Sequence, residues 1–180
     1  MNVGLNHQEY LNVGCGNSRF PNCINMDIAK NKYTYVDVVG DVLNIPFPDE
    51  RFKGVIFSHV LEHLYQKKHY FAMQEIRRVL KPLGTLYLEV PDLMLVCKYF
   101  LENFQGRREY WYMCIYGRHL HEADTHKSGI TQEYLTDLLF THGFGHLKWK
   151  TRGDAEPVLI VVAEKLEKTL LEQISWKLHI

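Results

Sequence analysis

The stretch GVIFSHVLEHL, residues 54–64, decides how the rest of the chain is read. Its first half is a short apolar run of β-branched and aromatic residues closed by Ser58, the pattern of a buried strand. Its second half is H-x-x-E-H. His59 and His63 are four residues apart with Glu62 beside them, so on any helical turn they share one face. A buried strand that ends in a cluster of titratable groups places chemistry at the strand's carboxyl end. The neighbouring segments determine what kind.

Upstream lie three similar segments, EYLNV (9–13), CINMDI (23–28) and YVDVV (35–39), each ending near Gly, Asn, Asp or Ser. Downstream the period changes. HYFAMQEIRRVL (69–80) sets Met73, Ile76, Val79 and Leu80 at helical spacing, and KPLG stops it. TLYLEV (85–90) reads as a strand bounded by Pro91, and LMLVCKYFLENF (93–104) as a helix. Residues 105–130 have no clean period. A helix follows from Thr131, capped by that threonine and ended by glycine. GHLKWKT and PVLIVVAE are two strands joined across RGDAE. The closing stretch, near 164–180, spaces Leu166, Leu170, Leu171 and Ile174 as one apolar stripe. It predicts a docked C-terminal helix, with a homodimer contact as the other use of that stripe.

Strands alternating with helices predict an α/β fold, a mostly parallel sheet covered on both faces with an antiparallel closing pair. One domain over 1–180 suits the length. Hydrophobic residues make up 46% and charged residues 23%, and 21 basic side chains balance 21 acidic ones. No overall field favours nucleic acid or an anionic membrane. Four cysteines, at 15, 23, 97 and 114, form no C-x-x-C pair, which suits free thiols in a reducing cytoplasm. No basic-then-apolar leader opens the chain, and no apolar run approaches the roughly 20 residues a membrane span needs. A cytoplasmic location is the expectation.

In open α/β sheets ligands lie beyond the carboxyl ends of the strands. After the first strand, Gly14-Cys15-Gly16 lets the chain turn sharply and a ligand approach the backbone. A dinucleotide site would want a third glycine where Arg19 stands, so that fingerprint is broken. Asp27 ends the second strand, and its two oxygens offer a planar pair of acceptors for ribose hydroxyls. After the third strand, Asp41 suits an exocyclic amine and the backbone of Val42 the edge of an adenine ring. Together the three positions are spaced to bind one nucleoside-like ligand.

The ordered set LNVGCG, INMDI, GDVLNIPFPDERFKGVIFSHVLEHL and IRRVLKPLGTLYLEVPD resembles the class I S-adenosylmethionine-dependent methyltransferases, over roughly residues 9–165. Within them it looks closest to a branch with VLEH after strand four. The resemblance implies a doubly wound seven-stranded sheet of order 3-2-1-4-5-7-6 with an antiparallel last strand. It implies S-adenosylmethionine as donor and S-adenosylhomocysteine as product. It carries Gly14 and Gly16 onto the loop beneath the donor's amino-acid part, Asp27 onto the ribose, and Asp41 with Val42 onto the adenine. Ser58 and His59 fall near the sulfonium. Asn12, Cys15 and Ile28 complete the expected donor set. H-x-x-E-H is also a zinc-protease pattern, but its setting at the end of a buried strand, with no visible downstream site, argues against that use.

Two departures follow. Only residues 17–26 separate Gly16 from Asp27, so the first crossover helix is expected to shrink to a turn within NSRFPNC, weakening any helix-dipole hold on the donor's carboxylate. Arg19, or backbone amides alone, would compensate. Leu83 stands where the turn usually has glycine. Few residues precede strand one, so acceptor recognition is expected from residues 92–130 or another subunit. A lid near 105–130 supplies His119, His121, His126 and Lys127, and His63 joins them as substrate-binding candidates. His59 and then His126 are the candidate bases.

The function expected is methyl transfer to an oxygen or nitrogen of a small polar acceptor, with a sugar or glycan derivative favoured. No metal is assigned in that reading. One alternative is a metal-assisted reaction using His59, Glu62 and His63 with a histidine from 119–126. Some family members carry E-x-x-E-H here and use a divalent ion, and a nitrogen-rich set would suit a transition metal. The other is a non-catalytic partner protein that still binds the donor. A nucleic-acid partner and a membrane are not expected.

Overall fold

The computed structural model of the chain describes residues 8–30, 35–119, 124–152 and 157–167. Seven strands, β1 (Tyr10–Val13), β2 (Cys23–Asp27), β3 (Val38–Val39), β4 (Phe52–Ser58), β5 (Leu80–Pro91), β6 (Phe144–Arg152) and β7 (Val158–Lys165), form one sheet. Its order is β3-β2-β1-β4-β5-β7-β6. β1 pairs in parallel with β2 and β4, β2 with β3, and β4 with β5, whereas β7 runs antiparallel to both β5 and β6. This is the expected order with the expected antiparallel last strand. The winding reverses between β1 and β4, which places the ligand crevice at their carboxyl ends.

Four helices, α1 (Gln66–Val79), α2 (Leu93–Leu101), α3 (Arg108–Tyr116) and α4 (Gln132–Thr141), connect the strands. On α1 His69, Ala72, Met73, Ile76 and Val79 are buried at helical spacing. The helix ends where Lys81 precedes Pro82, because proline forces the residue before it out of helical geometry. Asp92 caps α2 by accepting from the Leu95 amide (3.1 Å), and Thr131 caps α4 by accepting from the Tyr134 amide (3.2 Å).

Four expectations are corrected. β5 begins at Leu80 rather than residue 85, so KPLG lies inside an irregular strand whose pairing to β4 shifts between Phe52 and Gly54. The helix expected to reach residue 104 ends at Leu101, and Asn103 turns left-handed at φ 48°. The aperiodic segment 105–130 contains α3, which buries Trp111 against Tyr99 and Phe104. At the carboxyl end β7 continues through Lys165, so the start of the C-terminal helix expected near 164 is strand. The rest of that helix, from 168, lies outside the described residues.

One sheet face is dry. Leu11, Val13, Val55, Phe57, Leu86, Leu88, Leu159 and Val161 meet Met73 and Ile76 of α1 and Leu135 and Leu139 of α4 in one core. The connection from β1 to β2, residues 14–22, contains no helix, as expected. Among the described residues the opposite face is therefore open. Tyr10, Ile56, Tyr87 and Val162 line a hollow of about 430 Å³ there. Among the described residues no helix is long and apolar enough to cross a membrane.

Candidate functional site

The carboxyl ends of β1, β2 and β3 converge. Gly14 is left-handed at φ 66°, and a Cβ on it would stand 2.3 Å from Val60 Cγ2. Only glycine lets this loop lie against the segment after β4. Gly16 (φ 49°) has open space where its Cβ would be, and its amide donates to Asp27 Oδ2 at 2.8 Å. The Ala29 amide reaches Asp27 Oδ1 at 3.3 Å, and the Gly40 amide donates to the Asp27 carbonyl at 2.9 Å. The half-buried Asp27 carboxylate thus has one donor on each oxygen and lone pairs remaining on both.

The other candidates on this side divide by role. Asn12 spends its side-chain amide on the Ser18 carbonyl (2.9 Å) and Asn25 Oδ1 (3.1 Å), which holds the crossover loop rather than offering a donor outward. Cys15 is buried, and burial pushes its thiol up to about 11. Arg19 and Ile28 are exposed on the flanks. Asp41 is exposed with Oδ1 accepting from the Leu43 amide (2.9 Å), and Val42 is buried beside it. Open space at Gly16, unused acceptor capacity on Asp27 and an apolar floor at Val42 fit a nucleoside with a charged tail.

The loop after β3 is anchored from below by a pair that sequence reading missed. Glu75 Oε2 accepts from the Ile45 amide at 2.8 Å, while Arg78 donates to Glu75, to the carbonyls of Ile45 and Phe47, and to Asp49. The Arg78 hydrogen bond holds the Glu75 carboxyl below its ordinary value. The available signal was the E-I-R-R spacing on a helix face.

At the ends of β4 and β5 the chemistry is denser. Ser58 is half-buried, and His59 follows in a left-handed conformation (φ 54°) with its amide donating to the Glu89 carbonyl at 2.9 Å. Its ring lies between two carboxylates, with Nδ1 3.2 Å from Glu62 Oε1 and Nε2 3.3 Å from Glu89 Oε1. Glu89 also accepts from Tyr87 Oη at 2.5 Å and pairs with Arg152. The hydrogen bond to Glu62 raises the imidazole's pKa against the opposing cost of burial. His59 as first-choice base conflicts with this arrangement. Both nitrogens face carboxylates, which stabilises the imidazolium and leaves neither to take a proton.

Glu62 is 2% exposed and its Oε2 has no hydrogen-bond partner. A returning strap covers it, with the amides of Lys127 (2.7 Å) and Ser128 (3.1 Å) both donating to the Glu62 carbonyl. The strap brings His126 to His63, ring centroids 4.9 Å apart. Gly117, at φ 86°, permits the turn, since a Cβ there would meet the Asp124 carbonyl at 2.1 Å. Burial pushes the His126 imidazole down, toward its neutral form. Lys127 Nζ lies 5.5 Å over the Tyr65 ring. His119 turns back to the Tyr116 carbonyl (2.7 Å) and does not join the cluster. His121 lies outside the described residues. His69, fully buried, ties Leu64, Tyr134 and Ser128 together and packs rather than reacts.

The site thus joins a glycine-and-aspartate loop at the strand ends of an α/β sheet to a titratable cluster beside it. Residues 11–88 match the model of a methyltransferase domain. A protein of Encephalitozoon cuniculi named a methyltransferase is 31% identical over 170 residues, covering 86% of this chain and 77% of its own length. An S-adenosylmethionine-dependent methyltransferase from Methanosarcina mazei superposes with a TM-score of 0.64 at 18% identity, over 89% of this chain and 93% of its own. One from Archaeoglobus fulgidus gives 0.60 at 18% identity, over 87% and 85%. Human N-acetylserotonin methyltransferase, in complex with that donor, gives 0.56 at 17% identity, over 88% and 47%. The chain belongs to the methyltransferase family.

Proposed function

We propose that the chain moves a methyl group from S-adenosylmethionine to an oxygen or nitrogen of a small polar acceptor, with sugar and glycan derivatives the class to test first. The observation that supports this reading is the cluster of His59, Glu62, His63, Glu89 and His126 beside the donor loop, which it touches through Gly14 and Val60. The donor supplies an electrophilic methyl on a good leaving group. The S–CH3 bond breaks as the acceptor O–CH3 or N–CH3 bond forms, and the electron pair stays on sulfur as S-adenosylhomocysteine.

The chain's part is alignment and proton removal. Holding the acceptor in line supplies several kcal/mol of the barrier, with about 7–11 as the upper range. With both His59 nitrogens committed to carboxylates, the acceptor's proton goes to His126, whose imidazole burial pushes toward the neutral form. Asp27 holds the ribose, Asp41 and Val42 the adenine, and Arg19 the donor's carboxylate. Substrate contacts fall to His63 and Lys127.

Two measurements test this reading. S-adenosylhomocysteine should bind Asp27→Ala at least about tenfold more weakly than the unaltered chain, the effect of one lost charge-assisted hydrogen bond. Arg19→Ala should weaken it as well, and unchanged affinity would remove Arg19 from the site. Transfer of a labelled methyl group to a panel of hydroxylated and aminated sugars then decides the acceptor. Intact donor binding with no transfer to any oxygen or nitrogen acceptor would defeat the catalytic reading and favour a donor-binding partner protein.

A further inference from the structure

Glu62, His63 and His126 each place one ligand-type atom within 4.8 Å of the others. Their surroundings fix what those atoms are. His63 Nδ1 lies 3.1 Å from the Thr125 carbonyl, and His126 Nδ1 lies 3.1 Å from the Cys114 carbonyl. A carbonyl can only accept, so each Nδ1 carries a hydrogen, which leaves Nε2 as the ligating nitrogen of the neutral imidazole. The remaining member, Glu62 Oε2, is buried and has no partner. One carboxylate oxygen and one nitrogen of each imidazole thus come together. With Glu62 buried and both histidines half-buried, that grouping is costly unless a cation sits between its members.

We propose that Glu62, His63 and His126 hold one divalent transition-metal ion, of the zinc type. Two imidazole nitrogens and one carboxylate make a donor set that zinc accepts with a further position left open, and that magnesium, which prefers oxygen and water, does not. The supports typical of such a site are present. Each histidine is oriented through its other nitrogen by a backbone carbonyl, and Glu62 Oε1 is held by His59 Nδ1 at 3.2 Å. A small void beside Glu62 and His126, walled by Val96, Ile115 and Ile130, has room for about one water-sized ligand. His59 supports the carboxylate without being a ligand, since Glu89 occupies its second nitrogen. The ligands come from two segments, and the strap amides on the Glu62 carbonyl lock them together. If the methyl-transfer reading holds, an acceptor hydroxyl on the ion would ionise with its proton leaving to solvent. In that loaded form His126 is a ligand and not the base.

The test is equilibrium dialysis of the tag-free, chelator-treated chain against Zn2+, with S-adenosylhomocysteine affinity and a thermal melt measured on the same samples. One ion per chain is expected. His126→Ala should bind it at least about tenfold more weakly, with donor affinity unchanged, and His119→Ala should bind it normally. If His126→Ala fails to fold, His63→Gln serves in its place. Substoichiometric binding by the unaltered chain, equal binding by the variant, or displacement of Zn2+ by an equal concentration of Mg2+ would each overturn the proposal. Donor affinity is read separately, so loss of the metal site leaves the donor reading standing, and the converse also holds.

Discussion

Leu83 is left-handed at φ 59° and 54% exposed, so its side chain contributes little packing while its Cβ strains the backbone. That strain is about 1–2 kcal/mol, against about 0.5–1 kcal/mol for the extra chain entropy of glycine. Leu83→Gly should therefore raise the melting temperature by about 1–3 °C, since about 1 kcal/mol moves a domain of this size by about 2–4 °C. A lower melting temperature would mean that the leucine packs in a way its exposure does not suggest. The sequence showed this position as an oddity of the turn, but only the backbone angle shows which way the substitution acts. The same limit applied to His59. Its place at the end of a strand was legible, whereas the second carboxylate that clamps it, Glu89, is 30 residues away in sequence and was not.

Elements with a strong apolar signal were legible before any coordinates. β1, β2, β4 and β7 are short runs of mostly buried residues, α1 and α4 bury residues near a 3.6 spacing, and each was found close to its observed bounds. Those that escaped have physical reasons. α3 buries only Trp111, so it shows no stripe. The first turn of β5 contains Pro82 and a register shift, so it looked like a loop. The return of His126 depends on Gly117 and on amides that meet the Glu62 carbonyl, neither of which has a local signal. Gly117→Ala should detach this strap. A Cβ 2.1 Å from the Asp124 carbonyl cannot be accommodated without moving backbone, at about 1–3 kcal/mol. Hydrogen exchange at the amides of His126, Lys127 and Ser128 should accelerate, and unchanged protection there would refute the strap's dependence on Gly117. The loop after β3 responds to pH instead. The folded pKa of Glu75 is depressed, so its contribution is fully present above its ordinary 4.5 and is lost as pH falls through the lower folded value. Below about pH 4.5 the Ile45 amide should lose protection in the unaltered chain, and Glu75→Gln should flatten that acid dependence.

Across the whole molecule the two sheet faces are unequal. Phe57 and Ile56 are consecutive on β4, yet Phe57 is fully buried under the helices while Ile56 looks into the open hollow. Phe57→Ala should cost about 3–5 kcal/mol and Ile56→Ala about 1 kcal/mol, read from denaturant midpoints. Equal costs would show that something covers the open face in solution. The short crossover, which puts no helix on this face among the described residues, also bears on the order in which the sheet assembles. Parallel neighbours ordinarily wait for a long chain to close, but Tyr10 meets Cys23 across a loop of only nine residues, whereas Thr85 must find Glu164. Closure entropy grows with loop length by about 0.6 kcal/mol per doubling. The β1–β2 pair, and with it the Gly14–Asp27 crevice, is therefore among the cheapest parallel contacts to make, and the pairing of β5 with β7 is among the last. On refolding, the donor crevice should form in the fast phase, with the slow phase belonging to the docking of β7 on β5.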